Sequence, residues 1–265
     1  MKIAIIGAGN MGGALARGLA LGTLVQTSKI YVSNPSTPKL EALKREFPEI
    51  NITTDNREAA RVADIVVIAV KPWKVEEVLR EITPDMDYTR QAIASMVGGL
   101  GIAELSTWLD RGDGVLPATY LIIPNTAIAT MSSMTFIASA RATEEQENKL
   151  LDIFNELGKA MLVDEEHIAA GTSLASCGIA YALRYIRAAM EGGVELGFRA
   201  DDAKHIVMQT MRGAVDILEK NNTHPEVEID RVTTHGGLTI KGLNAMEATG
   251  FTHSVIEGLR ASTKR

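Results

Sequence analysis

The sequence predicts an α/β domain with a parallel sheet over residues 1–164, then an all-helical domain over 165–265. Three observations carry this expectation. Short β-branched runs alternate with helical patterns through the first part of the chain, as strands and crossover helices do in a parallel sheet. No convincing strand follows residue 165, where alanine, methionine and charged residues dominate. Gly7, Gly9 and Gly12 fall directly between the first β-branched run and a helical stretch, which marks a tight strand–turn–helix junction.

The predicted strands run in order through 2–7 (KIAIIG), 29–34 (KIYVSN), 51–54 (NITT), 64–70 (DIVVIAV), 92–97 (AIASMV), 119–124 (TYLIIP), 134–139 (MTFIAS) and 160–164 (AMLVD). Between them, TPKLEALKREF, PWKVEEVLREI and TEEQENKLLDIFNELG space their leucines at helical intervals. Beyond 164, residues 165–197 read as one long helix whose leading acids suit the positive end of the helix dipole. A second helix covers 200–220 and stops at NNTHP. Near the end, VTTHGGLTIKGL (232–243) puts two adjacent glycines in a helical neighbourhood. Each glycine costs a helix about 1 kcal/mol against alanine, so the segment serves either as a turn or as a backbone N–H cradle for an anion.

With 265 residues, 46% of them hydrophobic, the chain is long enough to bury a core without covalent staples. A net charge of -6 provides no footprint for nucleic acid or an anionic membrane. The single cysteine, Cys177, has no partner for an internal disulfide, so a reducing, cytoplasmic setting is expected. The N-terminal apolar run ends in glycines instead of extending as a signal peptide would. Residues 168–183 fall short of a membrane span and are closed by Arg184 and Arg187. No metal is expected: the five histidines form no H-E-x-x-H pattern.

The spacing Gly7-x-Gly9-x-x-Gly12, with Asn10 and Met11 inside it, follows a strand and opens a helix. That is the fingerprint of a Rossmann dinucleotide-binding domain, in which the pyrophosphate meets the helix N-terminus. An acid at the end of the second strand holds the ribose 2′-OH of NAD. Here that position reads Asn34, Ser36 and Lys39, with no carboxylate before Glu41. Hydroxyl, amide and lysine groups accept a 2′-phosphate, so NADPH is the expected cofactor, with NADH still usable. Asn56, before a short helix, and Val70, Lys71 and Pro72, at the carboxyl end of the fourth strand, complete the expected cofactor site.

With these pieces in place the chain resembles the pyrroline-5-carboxylate reductase family along nearly its whole length. The matching stretches are IGAGNMGGALARGL, DNREAARVADIVVIAVKP, PNT at 124–126, CGIAY at 177–181 and VTTHGGLTIKGLNAMEATGF at 232–251. The resemblance implies an NAD(P)H-dependent reductase of a cyclic imine, giving proline, whose helical domain dimerises by interlocking with its partner. Further assembly into rings stays open. It also implies that Gly236 and Gly237 cradle the substrate carboxylate, that Thr239 places a hydroxyl at the imine nitrogen, and that Thr234 and Asn125 lie on the substrate side. Departures from the family pattern are His235 and Ile179 in place of prolines, Leu121 in place of an arginine and Ala127 in place of a proline. The departures leave room for another cyclic imino acid as substrate, or for a dinucleotide-binding regulator. A β-hydroxyacid-dehydrogenase type of enzyme uses a lysine in the interdomain helix, and residues 168–190 contain none.

Overall fold

β1 (Ile3–Ile6) is apolar at every position and buried on both faces, as the central strand of a parallel sheet must be. α1 (Asn10–Leu21) follows it, then β2 (Ile30–Ser33), α2 (Thr37–Glu46), β3 (Asn51–Thr53), α3 (Asn56–Val62) and β4 (Ile65–Ile68). α4 (Val75–Ile82), β5 (Ala92–Ser95), α5 (Ile102–Leu109) and β6 (Thr119–Ile123) come next, and β7 (Ser133–Ala140), α6 (Glu144–Glu156) and β8 (Gly158–Leu162) complete the sheet. The strand order is β3-β2-β1-β4-β5-β6-β7-β8. Chain order reverses between β1 and β4, and ligands of open α/β sheets bind outside the carboxyl ends of the strands at such a point. This is the computed structural model of the chain, describing residues 1–263.

All eight expected strands form: β1 to β6 are shorter than expected, β7 extends one residue further at each end, and β8 lies two residues earlier in the chain. One departs from the expected parallel sheet: β7 runs antiparallel to β6, pairing Ile122 with Ile137. The link between them is short, a 3-10 turn at Thr126–Thr130, too short for the crossover that a parallel pair requires. β8 returns parallel to β7 after α6. α6 carries a full capping box, Thr143 with Gln146, worth about 1 kcal/mol.

Two cores sandwich the sheet. One face packs Ile3, Ile5 and Val67 against Leu15 and Leu19 of α1 and Leu40 and Leu43 of α2. The other packs Ala4, Ile6, Val66 and Ile68 against Ala59 and Ala60 of α3 and Val75, Val78 and Leu79 of α4.

The described chain divides into two compact units, Met1–Cys177 and the segment from Gly178 onward. The expected boundary at 164/165 falls at the start of a 3-10 turn, Glu165–His167. The long helix expected over 165–197 is not one unbroken α-helix. After that turn come α7 (Ile168–Gly171) and a π turn at Thr172–Cys177, which end the first unit; α8 (Gly178–Glu195) opens the second. Glu165 does not serve its own helix. Its Oε1 accepts the Ile102 N–H at 2.8 Å and so caps α5, whose Gly101 N-cap has no side chain to do so.

The second unit continues with α9 (Ala200–Asn221), ended by Asn222 at φ 49°, and α10 (Pro225–Arg231), capped by His224 Nδ1. α11 (Leu238–Ala248) and α12 (Phe251–Ala261) follow. α8 and α9 approach closely where Gly193 meets Ala203. Tyr185 and Phe251 pack edge to face at 6.4 Å. Ala203 is nevertheless the only buried apolar side chain of this unit among the described residues. No described helix is long and apolar enough to cross a membrane.

Candidate active site

Two glycines of the turn from β1 into α1, Gly7 and Gly12, hold positions that no other residue could take. Gly7 has φ 106°, and a Cβ there would lie 2.6 Å from the Ala69 carbonyl oxygen. A Cβ at Gly12 would lie 1.9 Å from Gly7 O, so the helix start can close on the turn only without a side chain. Gly9, by contrast, faces open space and is the N-cap of α1. No side chain caps this helix and its first turn has no acid, so its N–H groups and positive dipole end are available to an anion. Asn10 and Met11 form that first turn.

β2 is tied to the same turn. The Gly7 N–H donates to Ser33 O at 2.8 Å, and the Ala8 N–H to Asn34 Oδ1 at 3.1 Å. Asn34 Nδ2 donates in turn to Ser36 O (2.9 Å) and Ser36 Oγ (3.1 Å). Ser36 is the N-cap of α2, with Lys39 two residues beyond Thr37 in its first turn. Lys39 and Lys71 make no ion pair among the described residues, and no carboxylate stands in this turn. The chemistry fits a dinucleotide with a 2′-phosphate.

Asn56 is the first residue of α3, and Asp55, not Asn56, caps the helix by accepting the N–H groups of Arg57 and Glu58. The Asn56 amide is engaged on both sides: Oδ1 accepts from Ser33 Oγ (2.8 Å) and Nδ2 donates to Glu81 Oε2 (2.8 Å). It therefore bridges β2, α3 and α4. Val70, Lys71 and Pro72 follow β4, beside the Gly7 turn.

In the second unit the glycine loop forms a tight turn in which the Gly237 N–H donates to Thr234 O at 3.0 Å. Gly236 has φ 67°, in the left-handed region, and Gly237 is the N-cap of α11. A Cβ at Gly237 would lie 2.4 Å from Thr234 Oγ1. Gly236 is thus required by its φ, and a side chain at Gly237 would crowd Thr234. No side chain caps α11, and Thr239 lies in its exposed first turn.

Asn125 belongs to the first unit and is 8% exposed. Its Oδ1 accepts the Ala127 N–H (3.0 Å) and its Nδ2 donates to Ala175 O in the π turn at 3.4 Å. The sequence offered no sign of two residues that the structure brings to notice here: Glu165, through its cap on α5, and Trp73, exposed in the turn after Pro72.

The fold and the glycine turn define a dinucleotide-binding domain followed by a helical unit. Residues 2–98 match the family model described as NADP oxidoreductase coenzyme F420-dependent, and residues 165–265 match that of pyrroline-5-carboxylate reductase dimerisation. Pyrroline-5-carboxylate reductase 2 of Dictyostelium discoideum is 37% identical over 100% of this chain and 91% of its own length. Pyrroline-5-carboxylate reductase 1 of the same organism is 36% identical over 99% of this chain, which spans about half (49%) of that relative. Among solved structures, Plasmodium falciparum pyrroline carboxylate reductase with NADP bound superposes with a TM-score of 0.90 at 26% identity, covering 99% of this chain and 95% of that one. The chain belongs to the pyrroline-5-carboxylate reductase family.

Proposed function

We propose that the chain reduces 1-pyrroline-5-carboxylate to L-proline with NADPH, the first unit holding the dinucleotide and the helical part from residue 165 serving dimerisation and the substrate. The observation that carries the substrate side is the loop at 234–239, where Gly236 and Gly237 bare the backbone ahead of α11. Its N–H groups suit a carboxylate, and a helix start adds favourable partial charge. NADPH, when bound, supplies the hydride.

The chain's own residues have a modest task, because hydride addition to an iminium needs orientation more than acid–base work. The loop amides of Gly236, Gly237 and the first turn of α11 hold the carboxylate and so fix the ring. Thr239 Oγ1 hydrogen-bonds the ring nitrogen, orienting the C=N bond and keeping the proton on nitrogen as the adjacent carbon gains the hydride. Thr234 sets the turn through its carbonyl. Asn125 lies on the substrate side through the amide that reaches Ala175 O. On the cofactor side, Gly7, Gly9, Asn10, Met11 and Gly12 take the pyrophosphate; Asn34, Ser36 and Lys39 take the 2′-phosphate; Asn56, Val70, Lys71 and Pro72 line the crevice. The lone thiol of Cys177 suits a reducing compartment, and we place the protein in the cytoplasm.

The test is steady-state oxidation of NADPH and of NADH against pyrroline-5-carboxylate and its six-membered analogue. The proposal expects the five-membered imine and NADPH to give the higher kcat/KM. Preference for the larger ring would move the substrate to another cyclic imino acid, and tighter use of NADH would overturn the 2′-phosphate assignment.

A further inference from the structure

Trp73 is 76% exposed, more than any other large apolar side chain of the first unit. An indole carries a large apolar face that a protein normally covers. Its position gives that exposure a use. Trp73 is the middle residue of the 3-10 turn Pro72–Lys74, at the carboxyl end of β4. β4 borders β1 at the point where strand order reverses, and the Gly7 turn packs against Ala69 and Val70 just upstream.

The turn is rigid. Pro72 fixes its own φ, the Lys74 N–H donates to Lys71 O at 2.9 Å, and the Val75 N–H donates to Pro72 O. It leads into α4, which shares one face of the sheet with α3. Asn56, bonded to Ser33 of β2 and to Glu81 of α4, joins the end of β2 to that same side. The Trp73 turn thus stands at the carboxyl end of β4, one strand away from the Gly7 turn that follows β1. A dinucleotide whose pyrophosphate meets the Gly7–Gly12 turn lies along these carboxyl ends, where β4 leads into the Trp73 turn.

We propose that Trp73 is the stacking surface for the adenine base of the cofactor. The proposal rests on the dinucleotide reading of the Gly7–Gly12 turn and adds a residue to it. A flat indole held on a rigid turn stacks on any purine face, and each such contact is worth a measurable factor in binding.

The test uses the full-length protein and 2′,5′-ADP, which carries the adenosine half without the nicotinamide. Trp108 is the only other tryptophan, so Trp108→Phe leaves Trp73 as the sole indole reporter. In that variant 2′,5′-ADP should quench the indole emission saturably. By calorimetry Trp73→Ala should weaken 2′,5′-ADP roughly 5- to 30-fold, while Trp73→Phe, which keeps an aromatic face, should recover most of the loss. NADPH binding to the unmodified protein, followed through nicotinamide emission, reports separately on the dinucleotide reading. If NADPH binds there while Trp73 emission stays unquenched and Trp73→Ala leaves the 2′,5′-ADP affinity unchanged, the proposal is overturned. A fall in molecular mass on Trp73→Ala with unchanged 2′,5′-ADP binding also overturns it, and assigns the indole to a protein contact.

Discussion

Gly237 and Thr239 test the proposed substrate loop most directly. A Cβ at Gly237 falls against Thr234 Oγ1 and within 3.1 Å of Thr234 O, so Gly237→Val crowds the turn that presents the amides. The expected outcome is a sharply raised KM for the imine, with NADPH affinity by fluorescence titration unchanged, since Gly7–Gly12 belongs to the other unit. Thr239→Ala should instead lower kcat by about 10–100-fold, equivalent to about 1.4–2.7 kcal/mol, the scale of one hydrogen bond made in the transition state. His235→Pro restores the residue usual in the family and serves as the control: activity holds or improves if His235 is a bland replacement. Unchanged imine kinetics in both Gly237→Val and Thr239→Ala would reduce the loop to a helix–helix turn.

α3 and its neighbours are held by polar ties as much as by apolar packing. α3 is anchored at one side by Asn56 and along its length by Arg57 and Arg61, which both pair with Asp85 after α4. The Arg57 guanidinium, reinforced by Arg61, lowers the Asp85 carboxyl from 3.8 to about 2. A carboxylate with a depressed folded-state pKa stabilises the native state above its unfolded value and ceases to do so as pH falls through the folded one. Asp85→Asn should therefore have a lower urea midpoint than the unmodified protein at pH 7. The gap should close as pH falls from 3.8 to about 2. A gap constant across that range would show that Asp85 acts through packing and not through its charge.

At the scale of the molecule, the two units differ in how they are stabilised. The first has a sheet with a core on each face. Among the described residues, α8, α10, α11 and α12 have no fully buried side chain, and α9 has only Ala203. Leu183, Val194, Met208, Val215 and Ile217 stand exposed along α8 and α9, an amount of apolar surface that marks an interface. The match to a dimerisation family agrees with this. Light scattering should return at least twice the 28.5 kDa chain mass, and the urea midpoint should rise with protein concentration, as mass action requires of a folded dimer. A folded, active species of 28.5 kDa in dilute solution would contradict it.

Periodicity and glycine placement are local properties, and what depends on them was legible in the sequence. That holds for the eight strands, the Gly7–Gly12 turn, the missing acid after β2, the change of character near residue 165 and the need for glycine at Gly236. Tertiary structure decided what depends on neighbours distant in the chain. β7 reverses direction because the link at 126–130 is short, and the alternation of its residues reads alike in either orientation. Glu165 caps α5 across the sequence from residue 102, and the Asn34 amide locks the Gly7 turn to β2, so neither acts where its own segment would place it. Trp73 reads as one more apolar residue near a proline until packing leaves it in solvent. Hydrophobic pattern specifies which residues seek burial; only the assembled layers determine which of them achieve it.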